Sequence, residues 1–219
     1  MASTPVTIAV KSIQCLKETS DSGSSDEIYV VSLAVDLRRI NGIVAAPTLR
    51  VAVTGTWESV DEGDVGHTVP PPPNFPEGLD GIAVVWRKRC WGIVGTPDFI
   101  DRPRDVIILS ALMEEDDRFG DVRAVVTGLM TGGLASLLLP FNTGQINRTQ
   151  LRDQLLALFK SAVKTAAAGF PSSDDQVGPV QALELTVADL EAARVGTTVK
   201  SLHFQGQGGD YHVYYELSH

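Results

Sequence analysis

The sequence predicts a mainly β protein, an antiparallel β-sandwich of about eight strands with one helical insertion at about residues 121–170. Three patterns predict it. Leu49, Val51, Val53 and Gly55 alternate with Arg50, Ala52, Thr54 and Thr56, and Tyr211, Val213, Tyr215 and Leu217 alternate with His212, Tyr214 and Glu216. That period of two belongs to strands with one face buried and one wet. The runs Ile28–Leu37 and Val106–Met113 are apolar on both faces, as inner strands covered on both sides must be. A helical period is clear in a single stretch, 147–170, so helices form an insertion rather than the frame.

Along the chain, Val6–Leu16 reads as the first strand and Ile28–Leu37 as the second. The segments 49–55, Ile82–Val94 and Val106–Met113 follow, and Val180–Val187, Val199–Phe204 and Tyr211–Leu217 complete the set. The tract "HTVPPPPNFPEG", 67–78, is expected to be extended and outside any central strand, because proline has no N–H for the ladder. Residues 171–179, "PSSDDQVGP", read as a loop within one domain, since the β segments after them need partners from the first half. Gly206-Gln207-Gly208-Gly209 lies between two strands and predicts a hairpin turn with positive φ, not a dinucleotide-binding loop, which requires a helix to follow.

The insertion has two parts. Asn147 with Gln150 three positions on is a capping-box pattern, and Leu151, Leu155, Leu156, Phe159 and Val163 recur at helical spacing opposite Arg152, Asp153, Lys160 and Lys164. Just before it, "AVVTGLMTGGLASLLLPFNTGQ" (124–145) holds no charged residue. Its apolar part is about sixteen residues, short of the roughly twenty a spanning helix needs, so a buried or partner-facing helix is expected. Gly128 and Gly132 suit a close helix contact there.

Composition excludes several functions. With a net charge of −9 the 219-residue chain is a poor ligand for nucleic acid, which needs clustered Lys and Arg to displace counterions. Its one contiguous basic run, Arg87-Lys88-Arg89 between Trp86 and Trp91, reads as a solvated strand edge. Cys15 and Cys90 form neither a disulfide framework nor a metal-type pair, and read as small buried hydrophobes. The first ten residues lack the basic and long apolar regions of a secretory leader, so the default expectation is the cytoplasm, with export by a dedicated non-Sec route as the alternative. Triad elbows, phosphate loops and His-pair zinc motifs are missing from the sequence. His203 and His212 are placed to face one another across the last hairpin, and Glu184 with Glu216 is the one acid–base pairing that a hydrolase reading would draw on.

Two acidic stretches remain, each at the end of an apolar strand. "DSGSSDEIYVV" offers Asp21 and Asp26, and "LMEEDDRFGDV" offers Glu114, Asp116, Asp117 and Asp121. One reading is a turn, since Asp and Ser beside glycine bond readily to nearby backbone. The other is a calcium site, since calcium takes six to eight oxygen ligands from flexible loops. "GSSDEIYVVSLAVD" and "IILSALMEEDDRFGDV" are similar to the two acidic loop segments of the C-two domain, a calcium- and phospholipid-binding β-sandwich module. That resemblance implies Asp21, Asp26, Glu114, Asp116 and Asp121 as calcium ligands, and calcium-dependent attachment to a membrane or a protein. The chain departs from the pattern: Glu27 replaces a proline, Glu114 replaces an aspartate, and four residues separate Asp116 from Asp121. More broadly, these segments with the terminal "FQGQGGDYHVYYEL" resemble bacterial β-sandwich proteins carrying a hydrophobic helical insertion. The functional expectation is a non-enzymatic binding or assembly module, with a protein partner or a second copy on the uncharged helix.

Overall fold

A computed structural model of the chain describes residues 5–19, 26–38, 42–44, 48–70, 84–91, 98–115, 122–168 and 175–219. They form two antiparallel six-stranded sheets. The first contains β1 (Pro5–Lys17), β5 (Val65–His67), β6 (Arg89–Trp91), β7 (Asp98–Phe99), β11 (Thr197–Gly206) and β12 (Gly209–Ser218). β1 is its hub, pairing with β12 on one side and with β5, β6 and β7 along the other. The second contains β2 (Asp26–Asp36), β3 (Thr48–Val53), β4 (Trp57–Val60), β8 (Val106–Glu114), β9 (Asp175–Gln176) and β10 (Gln181–Ala182).

The doubly apolar strands occupy the centre of the second sheet. β2 and β8 pair along their whole length, from Ile28 opposite Glu114 to Asp36 opposite Val106. Ile28, Val30 and Ala34 of β2 and Ile108 and Leu112 of β8 point into the sandwich against Ile13, Phe204, Tyr211 and Tyr215. The alternate residues, among them Val31, Leu33, Ile107 and Leu109, point outward under two helices, α1 (Val122–Asn142) and α2 (Arg148–Ala167). The expected insertion is therefore a helical hairpin that makes a third layer. α1 contributes Val126, Met130, Leu134 and Leu138, and α2 contributes Leu151, Leu155, Phe159 and Val163, each set at i, i+4 spacing on one face. Every one of these eight side chains is buried.

Three hydroxyls inside the sandwich satisfy one another. Ser32 of β2 and Ser110 of β8 face each other in the ladder and meet the Tyr215 hydroxyl from the opposite sheet at 3.1 and 2.5 Å. Burial raises the Tyr215 pKa, so the phenol stays a neutral donor. Both cysteines are free and buried, and the Cys90 thiol, pushed up to about 12 by burial, donates to the Ile8 carbonyl at 3.2 Å.

Several local expectations hold, and the physics is visible. Asn147 and Gln150 exchange bonds at 3.0 and 2.8 Å, completing the capping box of α2. Gln207 and Gly208 have φ of 53° and 84°, the paired positive values of a two-residue hairpin turn between β11 and β12. His203 and His212 do face each other there, with rings stacked at 4.5 Å. The proline tract beyond Pro70 and the stop at 169–171 lie outside the described residues.

Other expectations are corrected. The strand read at Val180–Val187 is only β10, two residues long, and a third helix, α3 (Val187–Val195), begins where that strand was to end. Thr186 and Asp189 form its capping box, at 3.1 Å in one direction and 2.7 Å in the other. Leu190 and Ala193 then close one end of the sandwich core. Burial works to raise the Asp189 carboxyl, but bonds from Lys200 and Thr186 together outweigh it and hold the carboxyl below its usual range. Among the described residues Gly128 and Gly132 make no close contact. That role falls to Gly133, where a Cβ would sit 2.0 Å from Leu158 of α2.

Candidate functional site

The two acidic strand ends meet. Asp26 opens β2 and Glu114 closes β8, so the antiparallel pairing of these strands brings both to the same end of the second sheet. Both are buried, at 3% and 7% exposure. The link is Thr19, just past β1: its hydroxyl lies 2.8 Å from Asp26 Oδ1 and 3.0 Å from Glu114 Oε1, and its N–H donates to Asp26 Oδ2 at 2.7 Å. From the facing sheet, the Tyr211 hydroxyl also donates to Asp26 Oδ2. Burial first, and the adjoining Asp26 second, raise the Tyr211 pKa, so it remains a proton donor. Cys15, opposite Tyr211 in the ladder, has its thiol pKa raised chiefly by burial.

This geometry has a chemical consequence. A hydroxyl carries one proton, so Thr19 satisfies Asp26 or Glu114 at a given instant but not both. The two carboxylates meet in a buried setting, where like charges repel and a cation relieves that repulsion. Meanwhile Asp26 accepts three bonds from its own protein, joining β1, β2 and β12. Its first role is to tie the two sheets together at this end. Asp21, Asp116 and Asp121 lie outside the described residues. Among the described residues no three His, Cys, Asp or Glu side chains converge as a metal-holding group.

Other predicted residues are spread over the molecule. Glu184 pairs with Arg152 of α2 at 2.9 Å, on the helical side of the fold. Glu216 pairs with Arg87 at 2.7 Å and Lys11 at 3.6 Å, on the outer face of the first sheet. The two do not share a site. Arg87 is thereby drawn to the sheet face rather than left at a solvated edge, and Trp91 is buried with the Arg38 guanidinium 5.6 Å from its ring centroid. On the last hairpin Asp210 bridges Gln205 at 2.6 Å and His203 Nε2 at 2.5 Å, and these two bonds, Gln205 foremost, hold its carboxyl below the usual range.

No protein-family model, no curated protein and no solved structure matches this chain.

A second region is the outer face of α1. The helix is long and apolar enough to cross a membrane by composition, with mean hydropathy 1.7, yet its inner face is committed to the second sheet and to α2. Outward it presents Val125, Leu129 and Leu139, 42%, 42% and 69% exposed. Between them lie Gly128 and Gly132, where a Cβ would meet nothing within 4 Å. The hydroxyls on this side are turned inward: Thr131 donates to the Thr127 carbonyl and Ser136 to that of Gly133, both at 2.7 Å. What is left for a partner is apolar, with large side chains beside the two glycines. Sequence periodicity alone does not separate this outer stripe from the inner one, because both are uncharged.

Proposed function

We propose that the protein is a non-enzymatic assembly module that joins a second copy of itself through the outer face of α1. The observation that carries this is the pair Gly128 and Gly132. Each glycine costs a helix interior about 1 kcal/mol relative to alanine, and among the described residues no contact requires either. They leave a shallow notch beside the protruding Val125, Leu129 and Leu139, so one face carries both knob and hole. A two-fold interface needs that self-complementarity. Small residues favour the close approach of another helix.

Sedimentation velocity across a concentration series tests the reading. Dimer is expected for the native chain, with association weakened about tenfold or more by Leu129→Glu, which buries a charge in the seam. A native chain that stays monomeric throughout ends the proposal.

A second reading is supported by the meeting of Asp26 and Glu114: a calcium ion held by the two acidic strand ends, as the C-two resemblance implies. Calcium binding only to the folded state would raise the apparent melting temperature. A rise is expected on titrating chelator-treated protein, and its loss in Glu114→Gln; an unchanged melt at millimolar calcium rejects the site.

A further inference from the structure

We propose that the cleft between the start of α2, the loop leaving α1 and the far end of the β2–β8 pair binds a phosphate-bearing small molecule. The cleft has a volume of about 940 Å³, within the range of small-molecule sites. Four arginines line it, Arg38, Arg102, Arg104 and Arg148, against the carboxylates of Asp101 and Asp105. The chain holds 18 Lys and Arg in all and a net charge of −9, so four converging on one cleft make a positive locus in an otherwise acidic protein.

The state of each guanidinium matters. Arg38 is compensated, since it forks onto Asp36 with bonds of 2.5–3.0 Å. Among the described residues no carboxylate lies within ion-pair distance of Arg102, Arg104 or Arg148. Arg148 is nevertheless held in place, donating to the Val106 carbonyl at 2.9 Å and to the Arg104 carbonyl at 3.4 Å. Carbonyl oxygens orient a guanidinium without cancelling its charge, which pre-organises it for an anion. Asp105 is already engaged: it accepts from the Arg102 N–H at 3.1 Å, and burial holds its carboxyl above the usual range although that bond and the nearby arginines work to lower it.

Phosphate fits this arrangement better than a lone carboxylate. Arg102 caps the 3-10 turn Pro103–Asp105, Arg104 lies within it and Arg148 is in the first turn of α2, so donors approach from two elements rather than one plane. The N-terminus of α2 adds a favourable dipole for an anion. Leu37, Phe141 and Ile146 supply an apolar wall, and the volume exceeds that of a bare phosphate, so the ligand has an apolar or aromatic body beside its phosphate.

Titration calorimetry of the full chain at low salt tests this with two probes, phenyl phosphate and inorganic phosphate. Saturable binding is expected, tighter for phenyl phosphate, and weakened about tenfold or more by the double variant Arg102→Gln/Arg104→Gln and by Arg148→Gln. Arg102 and Arg104 are exposed, so the double variant keeps the test valid if Arg148→Gln fails to fold. Arg152→Gln, altering an arginine paired elsewhere with Asp153 and Glu184, is expected to bind as the native chain does. Sedimentation with phosphatidylcholine vesicles carrying phosphatidic acid separates the two sources of such a phosphate: arginine-dependent retention assigns it to a lipid headgroup, and calorimetric binding without retention to a soluble ligand. Absence of binding to both probes and vesicles, or binding that the double variant leaves unchanged, overturns the proposal.

Discussion

Asp26→Ala is expected to lower the stability of the folded protein by about 2–3 kcal/mol in urea melts. The substitution leaves the Thr19 N–H and the Tyr211 hydroxyl without their buried acceptor, and each orphaned donor costs about 1–3 kcal/mol. Part of that loss is offset, because removing one of two adjacent buried carboxylates ends the repulsion with Glu114. Tyr211→Phe removes one donor and its bond together, so it is expected to cost about 1 kcal/mol. The order Asp26→Ala worse than Tyr211→Phe is the signature of a clasp between sheets. An Asp26→Ala variant within about 0.5 kcal/mol of the native chain would show that Asp26 does not hold the sandwich closed.

Gly206→Ala is expected to cost about 3 kcal/mol or more, and Gly178→Ala a similar amount. The segment after β9 crosses the end of β11 so closely that a Cβ on Gly206 would lie 2.3 Å from the Gly178 nitrogen. In return, a Cβ on Gly178 would lie 2.5 Å from the Gln205 carbonyl oxygen, at a φ of +71° that side chains rarely adopt. Both obstacles are backbone, which cannot rotate aside as a side chain would. Each variant opens the same crossing, so the double variant should cost less than the two losses combined. Gly196→Ala supplies the contrast: its Cβ would meet nothing within 4 Å and its φ is extended, so a change of under about 0.5 kcal/mol is expected. Equal stability of Gly206→Ala and Gly196→Ala in denaturant melts would refute the close crossing.

The crossing matters beyond stability. Residues 177–183 leave β9, pass β11 and return to β10 on the edge of the second sheet, so they tie the sheets at the Gly178–Gly206 contact. The Asp26 clasp ties them at the end where β2 begins. A sandwich held by such ties can present α1 and the arginine-lined cleft on a rigid base, which lowers the ordering cost of binding.

The sequence by itself determined the elements whose signals are local. Alternation at 211–217 sufficed for β12, the paired apolar faces of 28–37 and 106–113 for the two central strands, and Asn147 with Gln150 for the start of α2. Each depends on residues within a few positions of one another. The sequence reading missed α3: Leu183, Leu185 and Val187 alternate as a strand does, and the capping pair Thr186 and Asp189 is the local signal that marks the helix start. Tertiary structure alone decided the rest. Nothing in the chain's order says that Thr19 would stand between Asp26 and Glu114, that Gly133 and not Gly128 or Gly132 would touch α2, or that Arg38, Arg102, Arg104 and Arg148 would share a cleft. These contacts depend on which face of which element meets which, and that is set by burial summed over the whole core rather than by any short stretch.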